Sequence, residues 1–237
     1  MIEWLQAVSW AAVFQIVLID ILLGGDNAIV IALACRNLDP RRRMHGILWG
    51  MAGAISLRVV LIWFALTLLT IPFLKIGGAL LLLWIGIKLL QHEEPDHTKV
   101  AAGASLFLAI KTIIVADFVM SLDNILAIAG VAQSADASHQ IGLVVLALLV
   151  SVPVIILGST LLLKLIDRFP LVVMLGAGLI GWIAGGMLVT DVVVLNQFGE
   201  VPTGTKLAAE LVGALLVMGL GRYLAGRAAQ KAAQAHT

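Results

Sequence analysis

Two copies of one short string, Asp-(five residues)-Asp-Asn, stand 97 residues apart in segments that are otherwise apolar enough to cross a membrane. Their members are Asp20, Asp26, Asn27, Asp117, Asp123 and Asn124. A carboxylate inside hydrocarbon is costly, and ionisable residues within membrane spans usually mark a functional site. Carboxylate and amide oxygens are the ligands that hard divalent cations such as Mn²⁺, Ca²⁺ and Mg²⁺ prefer. The two strings therefore predict a metal site formed by these six residues.

A ladder of acids alone would also suit the transfer of protons. The two asparagines favour a metal instead, because an amide oxygen binds a metal but does not titrate. Neither string has a cysteine or histidine beside it, which disfavours a dedicated zinc or copper site.

The composition places the chain among membrane proteins with several spans. Of its 237 residues, 61% are hydrophobic and 12% are charged, whereas soluble domains carry about 25% charged residues. The net charge of +1 says nothing about nucleic acid, but the positive residues lie between the apolar runs and not in one patch. A single cysteine, Cys35, excludes an internal disulfide. No nucleophile–base pair or phosphate-binding glycine loop stands out, so we expect neither an enzyme nor a prosthetic group.

Seven apolar runs approach the roughly 20 residues that a membrane-spanning helix needs. They cover residues 11–34, 46–69, 73–90, 106–131, 141–166, 171–189 and 207–224. Short connections leave no soluble domain, so residues 1–237 form one all-α transmembrane transporter domain. Eleven Lys and Arg residues flank the runs on one side and only Lys75 and Lys206 on the other. The excess of positive charge predicts a cytoplasmic C-terminus and an external N-terminus.

The similarity between the two halves extends beyond the acids. Pro72, Gly78 and Trp84 recur 98 residues later as Pro170, Gly176 and Trp182. Residues 11–90 and 106–190 therefore form two repeats of three helices each, and the helix at 207–224 is additional. An odd number of helices per repeat inserts the second repeat upside down, which is typical of transporters that bind their substrate near the bilayer midplane.

On unbroken helices, Asp26 and Asp123 point away from the face shared by the other members of each string. A local break would help them to converge, and we expect one at Gly24-Gly25 and another at Ser121-Leu122. Two cations, Arg58 and Lys111, also fall in apolar runs, and Lys111 lies early enough in its run for its long side chain to reach the inner interface. Four acids minus these two leave two negative charges, which equals the charge of one divalent ion. Arg58 either pairs with an acid when no cation is bound or forms a permanent structural ion pair.

Two further features have simpler interpretations. Closely spaced small residues between Gly176 and Gly186 are predicted to let helices pack closely. Asp191 follows the sixth apolar run and is predicted to be a solvated acid at a helix end.

Around the two strings the sequence resembles the TerC family of bacterial membrane proteins, and most closely its YjbE-type branch. The matching segments are Gly24-Gly25-Asp26-Asn27-Ala28 with Arg36-Asn37-Leu38, and the run from Ala116 to Asn124. The resemblance covers nearly the whole chain. It implies about seven membrane helices, a relation to the lysine-exporter superfamily, manganese export, and the six string residues as the ion-coordinating set. The resemblance also implies a departure, because relatives often have an acid where Gly186 stands. If that acid belongs to their site, this chain has one ligand fewer or a different selectivity.

These observations predict a manganese(II) exporter of the bacterial inner membrane that works by alternating access. The ion would meet Asp117 first, rest between Asp26 and Asp123, and leave past Asp20, with proton exchange at these acids as a candidate for coupling. The alternatives are an exporter of small organic cations or amino acids, and a membrane protein that holds metal for a partner without transporting it. The partners are the ion and the lipid bilayer. The choice between Mn²⁺ and Ca²⁺ stays open, and a homo-oligomer is compatible with this interpretation.

Overall fold

The computed structural model describes residues 13–18, 25–64, 68, 71–91, 99–132 and 140–235. Within these residues the regular structure is helical and no strand occurs. A helical stretch at 13–18 precedes α1 (Gly25–Cys35), α2 (Pro40–Trp63), α3 (Leu74–Leu90), α4 (Lys99–Ala132), α5 (Gln140–Arg168), α6 (Pro170–Val189), α7 (Val192–Phe198) and α8 (Thr203–Ala235).

Several of these helices suit a bilayer. Among the described residues, four stretches are long and apolar enough to span it, namely Pro40–Ile62, Val144–Arg168, Pro170–Val189 and Thr203–Arg227, and Asp26–Cys35 is a shorter apolar helix. Large apolar side chains also point outward: Leu157, Leu161 and Leu215 are 69%, 68% and 67% exposed. Lipid is the solvent that such surfaces fit. The predicted all-α membrane class is confirmed, whereas the count of seven spans stays a prediction.

The start of α2 differs from the prediction, which placed it at residue 46. The Asp39 carboxylate accepts a hydrogen bond of 2.9 Å from the backbone N–H of Arg41, and Pro40 occupies the first helical turn. An aspartate cap followed by proline is a strong start signal. The arginine-rich segment that was predicted to be a loop therefore forms the first turns of the helix.

The short helix α7 was not predicted. Asp191 caps its first turn by accepting a hydrogen bond from Val193 N–H, and Gly199, with a φ of 74°, ends it. A left-handed residue after the last turn favours glycine.

The helices form one bundle in which the two halves are interleaved. α1 packs against α5, and α4 packs against α2. α1 and α4 also contact each other, as do α3 and α6. α8 lies against α6 and α3. The first helix of each half therefore packs mainly against the second helix of the other half.

The contact between α6 and α8 depends on missing side chains. A Cβ atom on Gly181 would collide with the carbonyl oxygen of Gly213, and one on Gly185 would collide with that of Ala209. Small residues let helix backbones approach this closely in membranes. The predicted role of the small residues between Gly176 and Gly186 is confirmed.

Asp191 is completely buried, so the prediction of a solvated acid is wrong. Its carboxylate accepts backbone N–H hydrogen bonds from Phe73 (3.1 Å), Lys75 (3.0 Å) and Ile76 (3.3 Å) at the start of α3, and from Val193 (2.9 Å) in α7. Burial by itself would raise the pKa of this carboxyl, but the four hydrogen bonds outweigh it and lower the pKa. One side chain thus caps two helices.

Contacts between helix ends define the two ends of the bundle. Arg43 at the start of α2 forms an ion pair of 2.5 Å with Asp167 at the end of α5. At this same end α3 packs closely against α8, since a side chain on Gly221 of α8 would collide with Leu90 of α3. We call this the basic end, because most of the Lys and Arg residues predicted to be cytoplasmic flank the helix ends that meet here. Asp191 marks the opposite end.

Candidate cation site

The second string contributes a buried ion pair between α2 and α4. Arg58 Nη2 lies 2.6 Å from Asp117 Oδ1, and the two side chains are only 4% and 9% exposed. The Arg58 Nε–H also donates to Ser121 Oγ at 3.1 Å, and the Ser121 hydroxyl donates to Asp117 Oδ2 at 3.3 Å. Gly50 lets α2 approach, because a Cβ there would fall 2.6 Å from Ile113 of α4. The pair is therefore enclosed between two closely packed helices.

Sequence reasoning missed Ser121 as a member of this site and used it only as a weak point in the helix. α4 is helical without interruption from Lys99 to Ala132, so the predicted break at Ser121-Leu122 is wrong. Ser121 stands four residues after Asp117, and side chains at that spacing share one helix face. The spacing itself was the signal that could have identified it. The predicted break at Gly24-Gly25 involves residue 24, which lies outside the described residues.

The first string contributes a buried amide that has no hydrogen-bond partner among the described residues. Asn27 is 4% exposed, and both its Oδ1 and its Nδ2 lack a partner. On α5, the buried Ser159 Oγ lacks one as well, and its neighbour Gly158 would place a Cβ 3.7 Å from Ala28. Buried polar atoms normally have partners, since leaving one without costs about 1–3 kcal/mol. Such atoms suit a site that supplies oxygen to a bound ion.

The two strings approach each other through the contact between α1 and α4. Asp26 is partly buried, its Oδ1 accepts the Asn27 N–H at 2.9 Å, and it lies close enough to Asp117 and Arg58 to interact electrostatically with both. The structure describes the side chains of three predicted site residues, namely Asp26, Asn27 and Asp117.

The structure describes the other three predicted site residues in part or not at all. Asp20 lies outside the described residues. Asp123 and Asn124 belong to the continuous α4 backbone, but their side chains lie outside the described part. Within the described residues, no three His, Cys, Asp or Glu side chains form a metal-binding group. The complete six-residue ligand set stays a prediction.

The charge balance of the site differs from the one predicted. Lys111, which the charge tally included, is exposed and lines a separate cavity between α1, α3 and α4. The described part of the site holds the carboxylates of Asp26 and Asp117 and the guanidinium of Arg58.

A carboxylate from α8 stands beside Gly186, the position at which the resemblance implied a missing acid. A Cβ on Gly186 would lie 2.9 Å from Glu210 Oε1. The Glu210 side chain is 15% exposed, and Lys206 Nζ lies 3.9 Å away. An acid is therefore present near this position, although it comes from a different helix.

The arrangement can bind a hard cation through oxygen atoms. Its described donors are two carboxylates, one carboxamide and the Ser121 hydroxyl, a set suited to divalent ions of the Mg²⁺, Ca²⁺ and Mn²⁺ class. Arg58 supplies a positive charge at the same place. A cation that uses Asp117 must take over that carboxylate from the guanidinium, so Arg58 and the ion compete.

Comparison with known proteins identifies the family. The model of the TerC family of integral membrane proteins matches residues 5–231. The chain is 45% identical over 177 residues to the "Uncharacterized membrane protein YjbE" of Bacillus subtilis (strain 168), covering 74% of this chain and 78% of YjbE.

More distant relatives come from two bacteria. YceF of the same Bacillus subtilis strain is 29% identical over 135 residues, which cover 53% of this chain and 52% of YceF. The inner membrane protein YoaE of Escherichia coli (strain K12) is 27% identical over 187 residues, which cover 70% of this chain but 35% of YoaE. No solved structure matches the chain. The match over nearly its full length shows that the chain belongs to the TerC family of integral membrane proteins.

Proposed function

We propose that this protein exports a divalent cation, Mn²⁺ in the first place, across the bacterial inner membrane. The observation that carries the proposal is the meeting of the two strings. Asp26 lies within electrostatic range of the Arg58–Asp117 pair, and the Asn27 amide beside it is buried without a partner among the described residues. Acids inside membrane spans mark ion or proton pathways. Family membership and the inner-membrane location named for YoaE support the setting.

The contact pattern of the helices supports an inverted repeat of three plus three helices. Exchanging α1 with α4, α2 with α5 and α3 with α6 turns the α1–α5 contact into the α4–α2 contact. The same exchange leaves the α1–α4 contact and the α3–α6 contact unchanged. Transporters built this way expose a central site to one side of the membrane and then to the other. In this proposal seven helices span the bilayer, and α8 is the additional one.

Arg58 acts as an internal substitute for the transported ion. When the site carries no metal, the guanidinium neutralises Asp117, so that the acid is not left charged and alone in hydrocarbon. A divalent ion entering from the cytoplasm displaces Arg58 and binds Asp117 together with Asp26 and Asn27. Departure of the ion lets the ion pair form again.

The test is flux through purified protein in lipid vesicles. Mn²⁺ entry is followed with a trapped fluorescent chelator for the wild type, Asp26→Asn and Asp123→Asn, with Ca²⁺ and lysine as competing substrates. We expect each variant to lose at least about tenfold in Mn²⁺ flux, because it removes a charged ligand. The matched control is Asp167→Asn, since this acid is half-exposed at the basic end and lies away from the site.

Each rival predicts a different result. Lysine flux without any need for metal would replace the proposal by an amino-acid exporter in which Arg58 binds the substrate carboxylate. Tight Mn²⁺ binding without flux would indicate a metal-holding partner protein. Unchanged Mn²⁺ flux in both acid variants would contradict the proposed site. An imposed pH gradient tests proton coupling separately, because antiport requires the Mn²⁺ flux to respond to it.

A further inference from the structure

A cavity lies at the basic end, apart from the cation site. It has a volume of about 410 Å³ and is bounded by the end of α1, the end of α3 and the early part of α4. Its walls are mainly apolar, with Leu33, Leu81, Ile85 and Val115 among them. We call it the basic-end groove. Its volume falls within the roughly 300–1,000 Å³ that is usual for ligand pockets.

Two lysines from different helices face this groove. Lys88 lies in the last turn of α3, and Lys111 lies on α4. Among the described residues neither forms an ion pair with a carboxylate, and the contact given for Lys88 is with the Trp84 ring, 5.3 Å from Nζ. Asn37 and Gln91 add polar groups to the same cavity. The groove therefore combines two positive charges with an apolar interior.

These charges indicate an anionic ligand. Two ammonium groups repel a divalent cation, so the groove is a poor entrance for the transported ion. The groove also borders the lipid phase, since Trp84 and Leu108 at its edge are 57% and 41% exposed. A ligand that suits both properties has an anionic head and an apolar chain.

We propose that the basic-end groove binds the phosphate head of an anionic phospholipid from the cytoplasmic leaflet. Lys88 and Lys111 hold the phosphate, and the first part of one acyl chain lies on the apolar wall before it continues into the bilayer. Basic pockets between membrane helices on the cytoplasmic side bind anionic head groups in this way. The long lysine side chains allow their ammonium groups to reach the interface from inside the helices.

The test measures how tightly single lipids stay on the detergent-purified protein, by native mass spectrometry with titrated phosphatidylglycerol or phosphatidylcholine. The wild type should retain one phosphatidylglycerol more tightly than phosphatidylcholine. The double change Lys88→Gln with Lys111→Gln should weaken phosphatidylglycerol binding about 10- to 30-fold, because it removes two charges near the head group. Lys88→Arg with Lys111→Arg keeps both charges and should retain tight binding.

Lys164→Gln is the matched control, because this exposed lysine lies on α5 towards the basic end and outside the groove. It should leave phosphatidylglycerol binding unchanged. Equal affinity for the two lipids, or equal weakening by the double change and by Lys164→Gln, would overturn the proposal. Displacement of the lipid by millimolar inorganic phosphate would also overturn it, since the groove would then be a site for a free anion.

Discussion

Two buried carboxylates in this protein are neutralised in opposite ways. Asp117 in the middle of the bundle faces one guanidinium and one hydroxyl, both on side chains. Asp191 at the end opposite the basic end accepts four backbone N–H groups and is completely buried. Backbone donors at a helix start cannot leave without unwinding the helix, whereas a side chain can rotate away. Asp191 is therefore suited to permanent structure, and Asp117 to an exchange of partners.

The largest expected effect comes from removing the carboxylate of Asp117 that faces Arg58. Asp117→Asn should lower the free energy of unfolding by about 3–5 kcal/mol, because the buried Arg58 guanidinium loses a carboxylate that faces it. Adding Arg58→Met should restore most of that stability but no Mn²⁺ flux. Unfolding in mixed detergent and flux in vesicles measure the two quantities. Equal destabilisation of the single and double variants would show that the weakened Arg58 ion pair is not the cause.

A somewhat smaller effect is expected at the other carboxylate. Asp191→Ala removes the acceptor for four N–H groups and should lower the free energy of unfolding by about 2–4 kcal/mol. The Mn²⁺ flux of each correctly folded molecule should stay unchanged, in contrast to changes at Asp117. Unfolding in mixed detergent, with flux normalised to folded protein, tests this. A selective loss of flux would instead place Asp191 in the transport path.

The pH dependence of Asp191 sharpens the same contrast. Its pKa is lower in the folded protein than the ordinary value of 3.8, so its contribution to stability is complete above pH 3.8. The contribution is lost as the pH falls below that value through the folded pKa. Asp191→Asn should therefore lose less stability than the wild type on acidification from pH 5 to pH 3, measured as unfolding midpoints. Parallel curves would contradict this.

The smallest change in the free energy of unfolding is expected at Asn27, where a substitution should stabilise the protein. Asn27→Leu replaces buried polar atoms that lack partners among the described residues, and should raise the free energy of unfolding by about 1–2 kcal/mol. Mn²⁺ binding should weaken about tenfold through loss of one oxygen ligand. Isothermal titration and unfolding measure both effects. A variant that is less stable and binds Mn²⁺ as well as the wild type would assign Asn27 to packing.

The membrane class and most helix positions could be predicted from the sequence, because these depend on local hydrophobicity. Pro170, for example, begins α6 within one residue of the predicted start. Both interpretations of Arg58, an exchangeable ion pair and a permanent one, required an acid beside it, and Arg58 pairs with Asp117. Predictions that needed only one segment, or a charge with few possible partners, therefore succeeded.

The errors concern partners that are distant in sequence. The hydrogen bonds from Phe73 and Lys75 to Asp191 join residues more than 100 positions apart, and no local pattern indicates them. Lys111 was counted in the charge tally of the membrane interior from its place in an apolar run, but the rotation of α4 turns it towards the basic-end groove. Rotation of a helix depends on its neighbours, and a single sequence contains little information about that.

The glycine contact between α6 and α8 limits which parts of the molecule can move. Backbones that touch at Gly181 and Gly185 have no flexible side chains between them to absorb sliding. These two helices, with α3 tied to the end of α6 through Asp191, therefore act as a stationary frame. Any rocking that opens a pathway must then occur where α1, α2, α4 and α5 meet this frame.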